Sequence, residues 1–210
     1  MNLLFLLHLA VSIALIVSVC ALTFLVFRTY RVGHNRYLSA PRTGSGKGIL
    51  YAFTTGMMPW EKESAARHLP TFLAGIVYHV GVFSFFVYLI CLLFFPGVRF
   101  PILALRIVVA AGAVAGLGLL VKRSIKPQLR ALSCPDDFAS NALVDACLIL
   151  ALLHTWLPQL ETVLLAASLL LFIYMPLGKI RHCFFFFYTR ILFGIFFGRR
   201  GVYPAPAREK

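Results

Sequence analysis

The stretch "PTFLAGIVYHVGVFSFFVYLICLLFF", Pro70–Phe95, runs for 26 residues without an Asp, Glu, Lys or Arg. About 20 apolar residues suffice to cross ~30 Å of hydrocarbon as a helix, so the stretch reads as a membrane span carrying one imidazole, His79. Runs of similar length recur at about 3 to 27, 101 to 121, 139 to 157 and 162 to 187. The expected fold is therefore all-α, an integral membrane bundle of five helices forming one domain over residues 1–202. Residues 28–69 form its one long extramembrane segment, and 203–210 read as a disordered tail. Composition agrees: 60% of the 210 residues are hydrophobic and 13% charged, and the mean hydropathy of +0.88 excludes an ordinary soluble domain. The first run lacks a basic leading region and a small-residue cleavage site, and is expected to be a retained span.

The net charge of +13 does not point to nucleic acid, because the cations are placed by topology. Arg28, Arg31, Arg36, Arg42, Lys47, Lys62 and Arg67 fall between the first two runs. Lys122, Arg123, Lys126 and Arg130 fall between the third and fourth, and Lys179, Arg181, Arg190, Arg199, Arg200, Arg208 and Lys210 follow or end the fifth. Only Arg99 lies in a loop on the other side. The positive-inside rule then predicts the N-terminus outside and the C-terminus in the cytoplasm, with most cations against anionic lipid headgroups. The expected location is the cytoplasmic membrane of a bacterium or archaeon.

Five cysteines, Cys20, Cys91, Cys134, Cys147 and Cys183, show no CxxC spacing and read as small hydrophobes. The outer loops "PGVRFP" and "WLPQLET" are short, so a protein partner is expected on the cytoplasmic side. There "APRTGSGKG" reads as a flexible turn segment, and "ILYAFTTGMMPWEKESAARHLP" as an interfacial helix or docking surface. Gly112 and Gly116, in "AAGAVAGLG", share a helical face and predict close helix packing.

Ionisable groups inside a membrane are costly, and each histidine there is a functional candidate. His34 and His68 fall in or beside the extramembrane segment and read as solvated. His79 stands four residues after Gly75, and His182 four residues after Gly178, so each imidazole would face the same side as a bare patch of helix. A flat macrocycle ligated by imidazole needs such room, and two imidazoles from facing helices complete the axial coordination of a haem iron. The alternative for His79 is a hydrogen-bonded core residue. Lys179, Arg181, Lys122 and Arg123 lie where haem propionates would point and are candidate charge-assisted partners. Asp145 reads either as an acceptor for an imidazole N–H or as the partner of a cytoplasmic-side Arg or Lys. Toward the outer face lie His8, His154 and Arg106, with Arg99 and Glu161 at the rim. They read as a quinone site needing donors and a base, as snorkelling interfacial residues, or as a second haem site of His8 and His154.

Three segments, "YHVGVF" in the second run, "LLVKRSIKPQLRALSCPDD" after the third and "MPLGKIRH" in the fifth, carry a family likeness. Over its second to fifth runs the chain resembles the gamma subunit of respiratory nitrate reductase and the related membrane cytochromes of sulfite-reduction and heterodisulfide-reductase-like complexes. The resemblance implies that His79 and His182 ligate the haem nearest the cytoplasm. The family's outer-haem ligands correspond to Leu89 and Leu164 here, which implies a single haem b, and Arg99 lies close to a quinol-contacting basic residue of the family. The expected function is electron transfer between the quinone pool and a cytoplasmic iron–sulfur or flavoprotein subunit, within a larger membrane complex. The competing expectations are a non-redox membrane anchor or assembly subunit and a small transporter, the latter disfavoured by the lack of an inverted repeat or broken helices.

Overall fold

The computed structural model describes residues 2–33, 40–42, 44–98 and 101–204, and every described element is helical. In chain order these are α1 (Leu3–Gly33), α2 (Ser45–Phe53), α3 (Glu63–Arg67), α4 (Leu69–Phe94), α5 (Ile102–Ile125), α6 (Pro127–Ala131), α7 (Pro135–His154), α8 (Glu161–Tyr174) and α9 (His182–Arg199), with short 3-10 turns between some of them. Among the described residues, five helical segments are long and apolar enough to cross a membrane: Leu3–Val32, Leu69–Phe94, Ile102–Ile125, Pro135–His154 and Lys179–Arg199. Large apolar side chains such as Phe5, Phe24, Phe83, Leu103 and Val114 point outward, as expected of a multi-pass protein whose solvent is lipid.

Proline sets several of the boundaries. It has no N–H to donate and it drives the preceding residue out of the helical region. Lys126, before Pro127, is extended at ψ 114° and ends α5. Pro135 occupies the first turn of α7, where the Asp137 carboxylate accepts the Cys134 backbone N–H at 2.9 Å. The fifth apolar run, expected as one helix over 162 to 187, is two helices. α8 stops at Tyr174, Pro176 follows, and the amide of Gly178 bonds back to the Tyr174 carbonyl at 2.9 Å. With 14 residues, α8 reaches only about 21 Å. The helix long enough to span is the segment that follows it, Lys179–Arg199.

The chain divides into two compact units. The first comprises Met1–Cys20 and Pro70–Ile180. Within it, α7 packs against α5 and α8, and the core is built from Phe85 and Leu89 of α4, Val109 of α5, Leu148 and Ala151 of α7, and Leu164, Leu165, Leu171 and Phe172 of α8. Helices α4 and α5 meet backbone to backbone: a Cβ on Gly81 would stand 2.6 Å from the Gly112 Cα. Gly116, one turn on, faces Tyr78 and Asp145. The small-residue face of "AAGAVAGLG" is thus a packing surface for α4 and α7.

The second unit comprises Ala21–Leu69 and Arg181–Lys210. Its centre is the contact of α2 with α9, where Gly48 lies against Gly194 and Gly198. The turn reading of "APRTGSGKG" is corrected here, since Ser45–Gly48 are the first turn of α2. The tail reading is corrected at its start. The Tyr203 ring stacks on Tyr51 at 4.9 Å between centroids, whereas 205–210 lie outside the described residues. The Tyr51 hydroxyl donates to Glu61 at 2.8 Å.

Burial, and then the Glu61 carboxylate, push the Tyr51 phenol from 10.0 up to about 12. The folded protein therefore holds this proton more tightly than the unfolded chain. Its contribution to stability is present below pH 10 and is lost as pH rises through about 12. In an absorbance titration of phenolate, Tyr51→Phe should remove one tyrosine from the late part of the curve, near pH 12. Loss of a tyrosine that ionises near pH 10 instead would refute the assignment.

Candidate functional site

The first unit holds two groups of polar side chains near opposite ends of α7, and a third between them.

At the N-terminal end of α7, Asp137 gathers cations. Lys179 Nζ donates to its carboxylate at 2.6 Å and Arg123 at 3.2 Å. Arg123 also donates to the Ser133 hydroxyl at 3.1 Å, and Lys122 donates to the Thr71 hydroxyl. Three of the four proposed propionate partners thus have partners within the protein. Arg181 is exposed in the 3-10 turn that leads into α9. Asp137 ties α5, α7 and the segment after α8 together, so Asp137→Ala should cost on the order of 1 kcal/mol through the lost helix cap and ion pairs. Thermal unfolding in detergent measures this, and an unchanged midpoint would contradict it.

His79 projects from the exposed side of α4, and its Nδ1 lies 2.6 Å from the Gly75 carbonyl oxygen. That bond puts the proton on Nδ1. No atom lies within 4 Å of where a Gly75 Cβ would stand, so the bare patch expected beside His79 is present. The corresponding expectation for His182 is corrected. His182 is the first residue of α9, whereas Gly178 lies in the turn before it, so the two share no helical face. A Cβ on Gly178 would meet the Tyr174 ring at 2.5 Å.

At the other end of α7, His8 Nδ1 bonds the Leu4 carbonyl at 2.9 Å and its Nε2 pairs with Glu161 at 3.1 Å. Buried His154 shares a 2.7 Å hydrogen bond with the Tyr88 hydroxyl. Arg106 donates to the Thr155 hydroxyl at 2.9 Å and to its carbonyl at 2.6 Å, and lies over the Trp156 ring at 4.3 Å. The residues expected at the outer face thus come together as paired acids, bases and donors. Both ring nitrogens of His8 are engaged, which disfavours its use as a haem ligand. Arg99 lies outside the described residues.

Midway along α7, Asp145 departs from both expectations. Its Oδ2 accepts from the Asn141 amide at 2.8 Å, and it forms neither an ion pair nor an imidazole contact among the described residues. The same Asn141 nitrogen lies 3.3 Å from the Tyr78 hydroxyl and 3.5 Å from the Gly116 carbonyl. Tyr78, Tyr88, Asn141 and Thr155 escaped sequence reasoning. The available signal was that hydroxyls and amides within a span need partners there.

Among the described residues no three or more His, Cys, Asp or Glu side chains are placed to hold a metal ion. Comparison of the chain with family models, curated proteins and solved structures returned no match.

Proposed function

We propose that the chain is a membrane b-type cytochrome subunit that carries electrons between the quinone pool and a cytoplasmic iron–sulfur or flavoprotein partner through one haem b. It belongs, on this reading, to a larger complex in a bacterial or archaeal cytoplasmic membrane, with its basic loops and C-terminus in the cytoplasm. The observation that carries the reading is His79. An imidazole that would hold a haem iron through Nε2 is usually fixed by an acceptor for its Nδ1–H, and a bound macrocycle would need room beside it. The Gly75 carbonyl provides the first and the missing Gly75 side chain the second. The second ligand is assigned to His182 from the sequence, and the clearance argument applies to His79 alone. Bound haem supplies the one-electron couple.

Quinone chemistry is assigned to the cluster of His8, Glu161, Tyr88, His154 and Arg106, with Arg99 included from the sequence. Oxidation of a quinol releases two protons with its two electrons, and the His8–Glu161 and Tyr88–His154 pairs are bases of the required kind. Arg106, held by Thr155, offers a cationic donor to a quinone oxygen.

The anchor or assembly reading is favoured by a different observation. Arg123 and Lys179 are occupied by Asp137, and the Gly178 clearing is filled by Tyr174, which is what packing alone requires. A pyridine haemochrome assay on protein purified after expression with ample haem separates the two. One haem per chain is expected. No haem would end the cytochrome reading, and two would overturn the single-haem version.

A further inference from the structure

Asp145 is 2% exposed, in the middle of a helix long and apolar enough to span a membrane. It is ten residues from the start of α7, or about 15 Å along the axis. Its Oδ1 is buried without a hydrogen-bond partner. A carboxylate without a cation beside it in such surroundings costs so much that the group is neutralised instead. The neighbours supply no positive charge. From α4 the facing group is the Tyr78 side chain, and from α5 it is the backbone at Gly116. Asn141 and Cys147 are neighbours on α7 itself, and the buried residues of α8, namely Leu164, Leu165, Ser168, Leu171 and Phe172, carry no ionisable group. Arg123 of α5 and Lys179 after α8 are held by Asp137, about 12 Å away along α7, and Lys122 of α5 donates to the Thr71 hydroxyl.

We infer that Asp145 is a proton-binding site inside the bundle, its carboxyl neutral at physiological pH with the proton on Oδ1. The carboxylate takes the proton from hydronium and leaves water, and the return step reverses this. Space decides for a proton over a metal cation. A Cβ on Gly116 would already collide with Oδ1 and stand 2.5 Å from the Tyr78 ring, which leaves no room for an ion with its ligand shell. Oδ2 remains free to accept from Asn141. The site stands on the geometry of the first unit alone and is independent of the haem reading.

The chain has only three aspartates, Asp136, Asp137 and Asp145, so one labelling experiment tests the inference on the intact protein. Infrared spectra of the purified protein in lipid at neutral pH, with and without carboxyl-13C aspartate, should show one protonated-acid band that moves with the label, alongside two carboxylates. The band should vanish in Asp145→Asn and persist in both Asp136→Asn and Asp137→Asn. The latter two variants keep the assignment decidable if Asp145→Asn fails to fold. Three ionised aspartates, or a protonated band that is lost with Asp136 or Asp137, would overturn the site. A carboxylate at Asp145 that responds to added sodium would replace the proton with a monovalent cation.

Discussion

Purified His79→Ala is expected to contain no haem, while the protein still inserts and purifies as the wild type does. Substituting a group that only orients a ligand already weakens metal binding by about 10–100-fold, so removal of an axial ligand itself should weaken haem binding by at least about 100-fold. His79 is on the exposed side of α4 and makes its described hydrogen bond to its own helix, so its truncation leaves the core of Phe85 and Leu89 intact. Gly75→Leu makes the argument sharper. Nothing lies within 4 Å of the Gly75 Cβ position, so a leucine there starts in open space and grows into the clearing that a bound macrocycle would need. Both variants should lose haem, whereas His154→Ala, which removes a partner of Tyr88 at the other end of α7, should retain it. Circular dichroism checks the fold and the haemochrome assay reads the outcome. A low-spin spectrum retained in His79→Ala would remove His79 as a ligand.

Apolar length made four of the spanning helices legible, because hydropathy needs no tertiary information. It failed at the fifth because the sequence is apolar on both sides of Pro176, so a window from 162 to 187 passes over the break. The physical signal was present in "MPLG", a proline with a glycine two residues on, but it carries little weight in an average over twenty residues. The reverse error befell Ser45–Gly48. Two glycines lower helix propensity by about 1 kcal/mol each, yet Gly48 is where α2 approaches α9, and tertiary packing decides. At the site, His8, His154 and Arg106 stood out as costly groups in apolar runs. Their partners did not, since Tyr88 and Trp156 look like ordinary interfacial aromatics until the helices are assembled. Asp145 was visible for the same reason as the histidines. That its neighbour is an amide from its own helix, in place of a cation, depends on which face of α7 meets Gly116.

Gly194→Leu is expected to separate α2 from α9 and unfold the N-terminal part of the second unit. At this crossing the obstacle to a side chain is backbone. A Cβ on Gly194 would stand 2.6 Å from the Ile49 amide nitrogen and 2.9 Å from the Gly48 carbonyl carbon, and one on Gly48 would stand 2.6 Å from the Gly198 Cα. Main-chain atoms cannot rotate away as a side chain can, so the helices must part by more than the few tenths of an ångström that a packed core absorbs. Overpacking in a core ordinarily costs about 1–3 kcal/mol, and a backbone collision belongs at or above the upper end. α2 has nine residues, too few to persist as an isolated helix, so it should melt once it leaves α9. The Arg42 amide bond to the Arg199 carbonyl and the stacking of Tyr51 on Tyr203 should go with it. Amide hydrogen exchange over Ser45–Phe53 should accelerate by at least about tenfold, which corresponds to roughly 1.4 kcal/mol of lost protection. Gly46→Ala is the control. It lies in the same helix with nothing within 4 Å of its Cβ position, and should leave exchange unchanged or slow it slightly by raising helix propensity. Equal exchange in Gly194→Leu and the wild type would mean that the glycine contact does not hold the second unit together.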